Sequence, residues 1–265
     1  GLDTIVLGGT SYFSGNVTLR VPDALYLNGN PTLLPAGVTS PSYTVTPVAG
    51  GIPSIGATNV MLQAGYIQWA SAVIAKPQLA DGTLTLSAGA MIDLIGVPSA
   101  NDVAQLNLVS GGDIRLNGEG IKYITQSGLL PASGTSGAPS VGALVVADNL
   151  SMTAREIYPV TDTAFLLMSL GQAPNTAPGT INTISIASNG KAPVAPFSVS
   201  GAILVDAPSI VQGGVLYAPL GTIQLGFSPS ETLPAIFVNT GSTNDPYNPI
   251  QNVDPLSNGL FTTSQ

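Results

Sequence analysis

Carboxylates are the main groups in this sequence that could perform acid–base chemistry, because the chain has no histidine and no cysteine. Without histidine, the commonest general base and the usual serine-protease triad are excluded. Without cysteine, disulfides and thiolate metal sites are excluded. Asp113, in SGGDIRLNGEG, and Glu119 are a candidate glycosidase-type pair. If 113–117 is a strand, a turn separates them, and we interpret both as turn residues whose carboxylates bond nearby backbone N–H groups.

The other charged residues form no catalytic pattern. Asp93 interrupts the apolar run MIDLIG, and we predict a lone carboxylate that faces solvent. Arg155 and Glu156 are adjacent, so in an extended segment they point to opposite faces and are poor partners for each other. The six Lys and Arg residues are scattered between Arg20 and Lys191. The sequence therefore predicts no catalytic residue, no cofactor site and no metal site.

Aromatic residues are the remaining candidates for a binding surface. Tyr66 and Trp69, in GYIQWAS, are three residues apart and would lie on opposite faces of a strand. An exposed ring can stack on the face of a sugar, whereas the alternative is one buried and one exposed ring. We keep Tyr66, Trp69 and Tyr247 as candidate contacts with a ligand or partner.

These side chains have to be positioned by strands, because alternating apolar and small polar residues recur along the chain. The phrases are GTLTLSA at 82–88, AQLNLVS at 104–110, ALVVADNLSMTA at 143–154, TISIAS at 183–188, AILVDA at 202–207 and GTIQLGF at 221–227. Strict alternation is typical of half-buried strands. It predicts the inward-facing residues Leu84, Leu86, Leu106, Leu108, Ile223 and Leu225, with outward Thr, Asn and Gln forming ladders.

The spacing of these phrases predicts stacked coils. The phrase at Gly82 returns at Ala104, 22 residues later, and the same interval separates Gly179 from Gly201. Such an interval is typical of one coil of a β-solenoid. The longer gaps between the other phrases indicate coils with loop insertions, such as the stretch 129–142.

Composition agrees with an extracellular β protein. The chain has 265 residues, of which 44% are hydrophobic and only 8% are charged. Its 31 Gly and 22 Pro residues indicate turns between short strands. A net charge of −8 argues against binding to nucleic acid or to an anionic membrane surface. Since the first residues, GLDTIVLGG, already read as a strand without an initiator Met, we interpret the chain as a piece of a larger precursor.

Several longer segments resemble the large exoproteins of the filamentous haemagglutinin family. They are LDTIVLGGTSYFSGNVTLRVPDALYLN at 2–28, DGTLTLSAGAMIDLIG at 81–96, GGDIRLNG at 111–118, NLSMTAREIYPVTDTAFLL at 149–167 and SGAILVDAPSIVQGGVLYAPLGTIQLG at 200–226. The resemblance covers most of 2–227. It is weak over 31–56 and ends after Ser228.

This resemblance implies an all-β fold, a right-handed parallel β-helix with loop insertions. It also implies secretion through a partner pore in the outer membrane of a Gram-negative bacterium. The chain would then be part of a fibre on the cell surface or outside the cell, with a role in adhesion. The family's shafts have no catalytic residues that could be assigned here.

We therefore expect a β-helix shaft over 1–227, with a Pro-rich insertion at about 31–56, and a Pro/Asn-rich tail over 228–265. Its open ends predict end-to-end self-association, or continuation within a longer exoprotein. A host or bacterial surface receptor or glycan is a further expected partner. Two alternatives remain: a glycan- or protein-binding module with its site in the loops at 31–56 or 129–142, and a glycan-active β-helix enzyme.

Overall fold

A computed structural model of the chain describes residues 2–38, 58–71, 82–118, 140–169 and 181–226. These residues form strands joined by turns and loops, without an α-helix. Within them, no helix of the length and apolar character needed to cross a membrane is found. The all-β class predicted from the alternating phrases is confirmed.

The strands are short except for two. They are β1 (Thr4–Gly8), β2 (Ser11–Ser14), β3 (Asn16–Arg20), β4 (Ala24–Asn28), β5 (Pro31–Leu34), β6 (Asn59–Ser71), β7 (Thr83–Gly96), β8 (Gln105–Ser110), β9 (Asp113–Asn117), β10 (Ser140–Val146), β11 (Asn149–Ala154), β12 (Ile157–Pro159), β13 (Thr163–Ser169), β14 (Thr183–Ser188), β15 (Ala202–Asp206), β16 (Ser209–Gly213) and β17 (Thr222–Leu225).

Every strand pairing in this part of the chain is parallel, and the pairings define three columns. The first column contains β3, the first halves of β6 and β7, β8, β11, β14 and β16. The second contains β1, β4, the second halves of β6 and β7, β9 and β12. The third contains the pair β2–β5 and the sheet β10-β13-β15-β17. We call one run of the chain through the columns a pass. The chain follows this order at β8-β9-β10 and again at β11-β12-β13, whereas β14 is followed directly by β15 in the third column.

The predicted 22-residue interval is confirmed where β7 pairs with β8, because Thr83 lies opposite Gln105. The same interval brings β9 beside the second half of β7, with Met91 opposite Asp113. Parallel neighbours in register place identical positions of each pass on the same face. The 22-residue period therefore determines which side chains of neighbouring strands lie next to each other.

The core lies between the columns and is built from the inward-facing side chains. Leu84, Leu86, Leu106 and Leu108 are 0% exposed, as predicted. Ile223 and Leu225 differ, since they are 43% and 44% exposed. They lie opposite the fully buried Ile203 and Val205, but β17 pairs on one side only within the described residues. These two side chains therefore continue the core columns but are only partly covered.

Two predictions from spacing need correction. The interval from Gly179 to Gly201 is not one coil, because the strand that follows Gly201, β15, pairs with β13, whereas β14 pairs with β16. The phrase at 143–154 contains two strands in different columns, β10 and β11.

The predicted Pro-rich insertion at about 31–56 begins with a strand rather than a loop. β5 starts at Pro31, where the missing N–H does least harm because proline is tolerated as the first residue of a strand. Residues 39–57, like the tail 228–265, lie outside the described residues.

Polar ladders cover the outward face of the first column. The Asn59 side-chain amide donates to Asn16 Oδ1 at 3.1 Å, and Asn107 Nδ2 donates to Thr85 Oγ1 at the same distance. Thr183 N donates to Asn149 Oδ1 at 2.9 Å. The expected Thr, Asn and Gln ladders therefore contribute to the stacking of the passes.

Candidate functional site

Charged and tyrosine side chains concentrate on the outward face of the second column. We call this group the tyrosine–arginine patch; its members are Tyr26, Tyr66, Asp93, Asp113, Arg115, Arg155, Glu156 and Tyr158. It holds two of the three arginines and three of the eight tyrosines of the chain. In a chain with 8% charged residues, this is an unusual concentration of charge.

The register of the parallel strands positions the patch. Asp93 lies opposite Arg115, and Arg115 lies opposite Tyr158. On the other side of Asp93, Gln68 separates it from Tyr26. Because the neighbouring residues of these strands are buried core side chains, alternation directs this whole row outward.

Asp93 is buried although it points outward, so the prediction of a solvent-facing lone carboxylate is wrong. The residue is 1% exposed. Arg115 holds it in a two-pronged ion pair, in which Nε donates to Oδ1 at 2.7 Å and Nη2 donates to Oδ2 at 2.5 Å. The Tyr66 hydroxyl also donates to Oδ2, at 2.6 Å. These partners cover the carboxylate and replace its contacts with water.

Asp113 is not a turn residue that bonds local N–H groups, since it opens β9 and accepts two hydrogen bonds from Arg155. The distances are 2.8 Å from Nε to Oδ1 and 2.6 Å from Nη2 to Oδ2. Its predicted partner Glu119 lies outside the described residues. Glu156 is 1% exposed and accepts a hydrogen bond from Val194 N at 3.0 Å, so Arg155 and Glu156 bond different groups.

The pKa values in the patch follow from burial and from these bonds. Burial, reinforced by the bond to Asp93, raises the pKa of the Tyr66 hydroxyl well above its usual range. The hydrogen bonds to Asp93 raise the pKa of Arg115, so its guanidinium stays charged. Burial also raises the pKa of Tyr158 and of Glu156. At neutral pH both tyrosines therefore keep their hydroxyl protons.

The three predicted aromatic contacts have different positions. Tyr66 belongs to the patch, is partly exposed, and packs edge-on against Tyr26 with ring centroids 6.1 Å apart. Trp69 is 0% exposed and lies between Leu27 and Leu94 in a core ladder, with its indole N–H donating to Gly29 O at 2.9 Å. A fully buried ring offers no face to a ligand. Tyr247 lies outside the described residues.

The loops favoured for a binding module are also largely outside the described residues, which include only 31–38 of the first and 140–142 of the second.

Sequence reasoning missed Arg115, Tyr26 and Tyr158 as site residues. A usable signal was present for the central pair, because Asp93 and Arg115 are separated by the same 22 residues as the phrases at Gly82 and Ala104. Applying that period to charged residues would have placed the carboxylate beside the guanidinium. The 43-residue step from Arg115 to Tyr158 includes an insertion, so no fixed period indicates it.

The patch is suited to binding rather than to acid–base catalysis. Asp93 and Asp113 both have their oxygens engaged by guanidinium groups, so neither is a free base. Among the described residues, no three His, Cys, Asp or Glu side chains come together as metal ligands. What the patch offers is partly exposed tyrosines and two guanidinium groups, with Arg115, Arg155 and Tyr66 held by ion pairs and hydrogen bonds to the carboxylates.

The chain matches no protein-family model, no curated protein and no solved structure. Its function must therefore be inferred from its own residues and their geometry.

Proposed function

We propose that this chain is a right-handed parallel β-helix that serves as a structural and adhesive shaft segment of a secreted or cell-surface bacterial fibre. The observation that carries the proposal is the parallel register, which continues through successive passes from β3 to β16 in the first column. Crossover connections between parallel strands are almost always right-handed, which supports the assigned hand. No catalytic step belongs to this proposal.

The cellular setting of the proposal rests on composition and on the resemblance to filamentous haemagglutinins. A surface of Thr, Asn, Gln and Ser with few charges suits a fibre outside the cell. Export through a partner pore in the outer membrane of a Gram-negative bacterium suits a fold that can propagate pass by pass as the chain emerges.

The last described strands support self-association as the way the shaft continues. β16 and β17 each pair on one side only among the described residues, and Ile223 and Leu225 are 43% and 44% exposed. An unpaired parallel edge with partly exposed core residues is a template for another strand. At the other end, β1 and β2 likewise pair on one side only within the described part. Head-to-tail contacts between unlike ends produce filaments.

Size-exclusion chromatography with light scattering, followed by negative-stain microscopy, tests this proposal. We expect concentration-dependent rods, which the double substitution Ile223→Lys with Leu225→Lys should abolish by placing charge in the end contact. The control is Val109→Lys, which changes an outward side chain of β8 that is 39% exposed on the side of the stack. A monomer at every concentration, or equal loss of rods with the control, would contradict end-to-end stacking.

A further inference from the structure

We propose that the tyrosine–arginine patch is a binding site for a neutral oligosaccharide that lies across the strands, parallel to the stacking direction. This proposal goes beyond the shaft role and does not depend on self-association. It concerns the side of the stack, whereas the filament contact concerns the ends.

The charges of the patch are matched internally. Arg115 and Arg155 each form two hydrogen bonds to a carboxylate that is at most 6% exposed in its side chain. A guanidinium neutralised in this way has little net attraction for phosphate or sulfate groups. Glu156, buried beside the second pair, adds no positive charge. The ligand that fits this electrostatic pattern is uncharged.

The polar atoms that remain accessible suit hydroxyl groups. The side chains of Arg115 and Arg155 are 38% and 28% exposed, and their bonds to the carboxylates use Nε and Nη2 of each guanidinium. Tyr26 and Tyr158 are partly exposed residues that each carry a phenol hydroxyl. Each of these groups can donate to a sugar oxygen, and the phenols can also accept. Because ion pairs hold the two guanidinium groups in place, these groups lose little entropy when a ligand binds.

The tyrosine rings give the site its length. Tyr26 and Tyr158 belong to one row, separated by Gln68, Asp93 and Arg115. Four strand spacings of about 4.8 Å place the two ring positions roughly 19 Å apart. A pyranose unit is similar in length to one strand spacing, so an oligosaccharide of about five units would place a sugar on each ring. The C–H faces of its sugars would pack on the aromatic faces, as apolar groups do on tyrosine.

A glycan array and isothermal titration calorimetry on the intact chain test the proposal. The titrated probes are cellohexaose and chitohexaose as neutral chains, cellobiose and chitobiose as short ones, and heparin as a polyanion. We expect at least one neutral hexasaccharide to bind, with its disaccharide at least ten-fold weaker. Tyr26→Ala and Tyr158→Ala should each weaken that binding by about ten-fold.

The matched control is Tyr12→Ala, which removes a tyrosine that is 48% exposed on β2, outside the patch, and should leave binding unchanged. If Tyr158→Ala does not fold, Tyr158→Phe keeps the ring and should lose only a few-fold in affinity, while Tyr26→Ala still reports on the other end. The proposal is overturned if no neutral glycan on the array binds, if heparin alone binds, or if Tyr12→Ala weakens binding as much as Tyr26→Ala.

Discussion

Asp93 shows how a stacked strand can bury a charge on its outer face. Its side chain is 2% exposed because the guanidinium of the next pass and the Tyr66 hydroxyl of the previous pass both bond to it. A buried carboxylate that loses its cation becomes costly, since it cannot regain water. The network therefore makes the relative position of three passes depend on a few side chains.

Replacing Arg115 should reveal this dependence. We expect Arg115→Ala to lower the free energy of unfolding by about 2–4 kcal/mol, because it leaves Asp93 buried without a cation. Adding Asp93→Asn should recover a large part of the loss. The control Arg20→Ala removes an exposed arginine and should change stability by less than about 0.5 kcal/mol. Urea unfolding measures all three, and a loss with Arg115→Ala no larger than with Arg20→Ala would contradict the structural role of the pair.

Two buried carboxyls, Asp148 and Asp206, and the partly buried Asp102 predict an unusual dependence of stability on pH. Burial raises the pKa of Asp206 to about 6, and it does the same for Asp102 and Asp148. In the unfolded chain these groups have a pKa of about 3.9. Between pH 4 and 6 the folded state thus holds protons that the unfolded state has released. The stability that these three groups contribute should be fully present near pH 4 and should be lost as the pH rises through 6.

Asp206 is the clearest single test of this effect, because the residue is 6% exposed. Its raised pKa corresponds to about 3 kcal/mol of stability lost between pH 4 and pH 7. Asp206→Asn should flatten the profile by about that amount, whereas Asp162→Asn, at an exposed position, should not. The measurement is thermal unfolding from pH 4 to pH 7.5, and equal slopes for the wild type and Asp206→Asn would rule out this assignment.

The backbones of neighbouring passes lie close together at the corner between the first and second columns, because the glycines there have no Cβ. A Cβ on Gly111 would lie 2.2 Å from Gly89 O, the carbonyl of the previous pass. The pair Gly111-Gly112 therefore forms a turn that packs closely against the previous pass.

Gly111→Ala should accordingly lower the free energy of unfolding by about 1–3 kcal/mol through overpacking. Gly213→Ala is the control, since a Cβ there would meet only Ile186 O at an ordinary 3.6 Å. Denaturant unfolding of both variants measures the difference. If both substitutions have the same effect, close stacking at this corner is not what requires glycine at 111.

Alternation was sufficient to predict the strands of the repeated phrases and the buried leucines of β7 and β8, because burial of every second residue is a local property of a strand. It did not indicate β5, which lies in the predicted Pro-rich insertion. The 22-residue period predicted the strand pairing only where consecutive passes have equal length, as for Thr83 and Gln105. It failed at Gly201 because the segment 189–200 forms no strand, and Leu216 instead takes the place beside Ile157. The path of this segment depends on tertiary contacts, including the hydrogen bond that Val194 N donates to Glu156.

The tyrosine–arginine patch contains residues that the sequence pattern did not predict. Side chains of separate passes meet only after the register is known, so Tyr158 could not be assigned across an insertion of unknown path. Trp69 illustrates the converse, because its type suggested a binding surface while its register with Leu27 and Leu94 placed it in the core.

In the whole molecule, the distance between equivalent positions should depend on the number of passes that separate them and not on the number of residues. The first column provides outward positions in a single line, at Thr18, Ser151, Ser185 and Val211. Since the chain has no cysteine, pairs of cysteines can be introduced and spin-labelled without background.

Pulsed electron spin resonance between a label at Thr18 and labels at Ser151, Ser185 and Val211 is the most direct measurement. These positions are four, five and six passes from Thr18 along the register. At about 4.8 Å a pass, backbone separations of roughly 19, 24 and 29 Å are expected, measured at a protein concentration where the chain is monomeric. Equal increments would support the stacked parallel β-helix, whereas distances that do not increase from Ser151 to Ser185 to Val211 would contradict it.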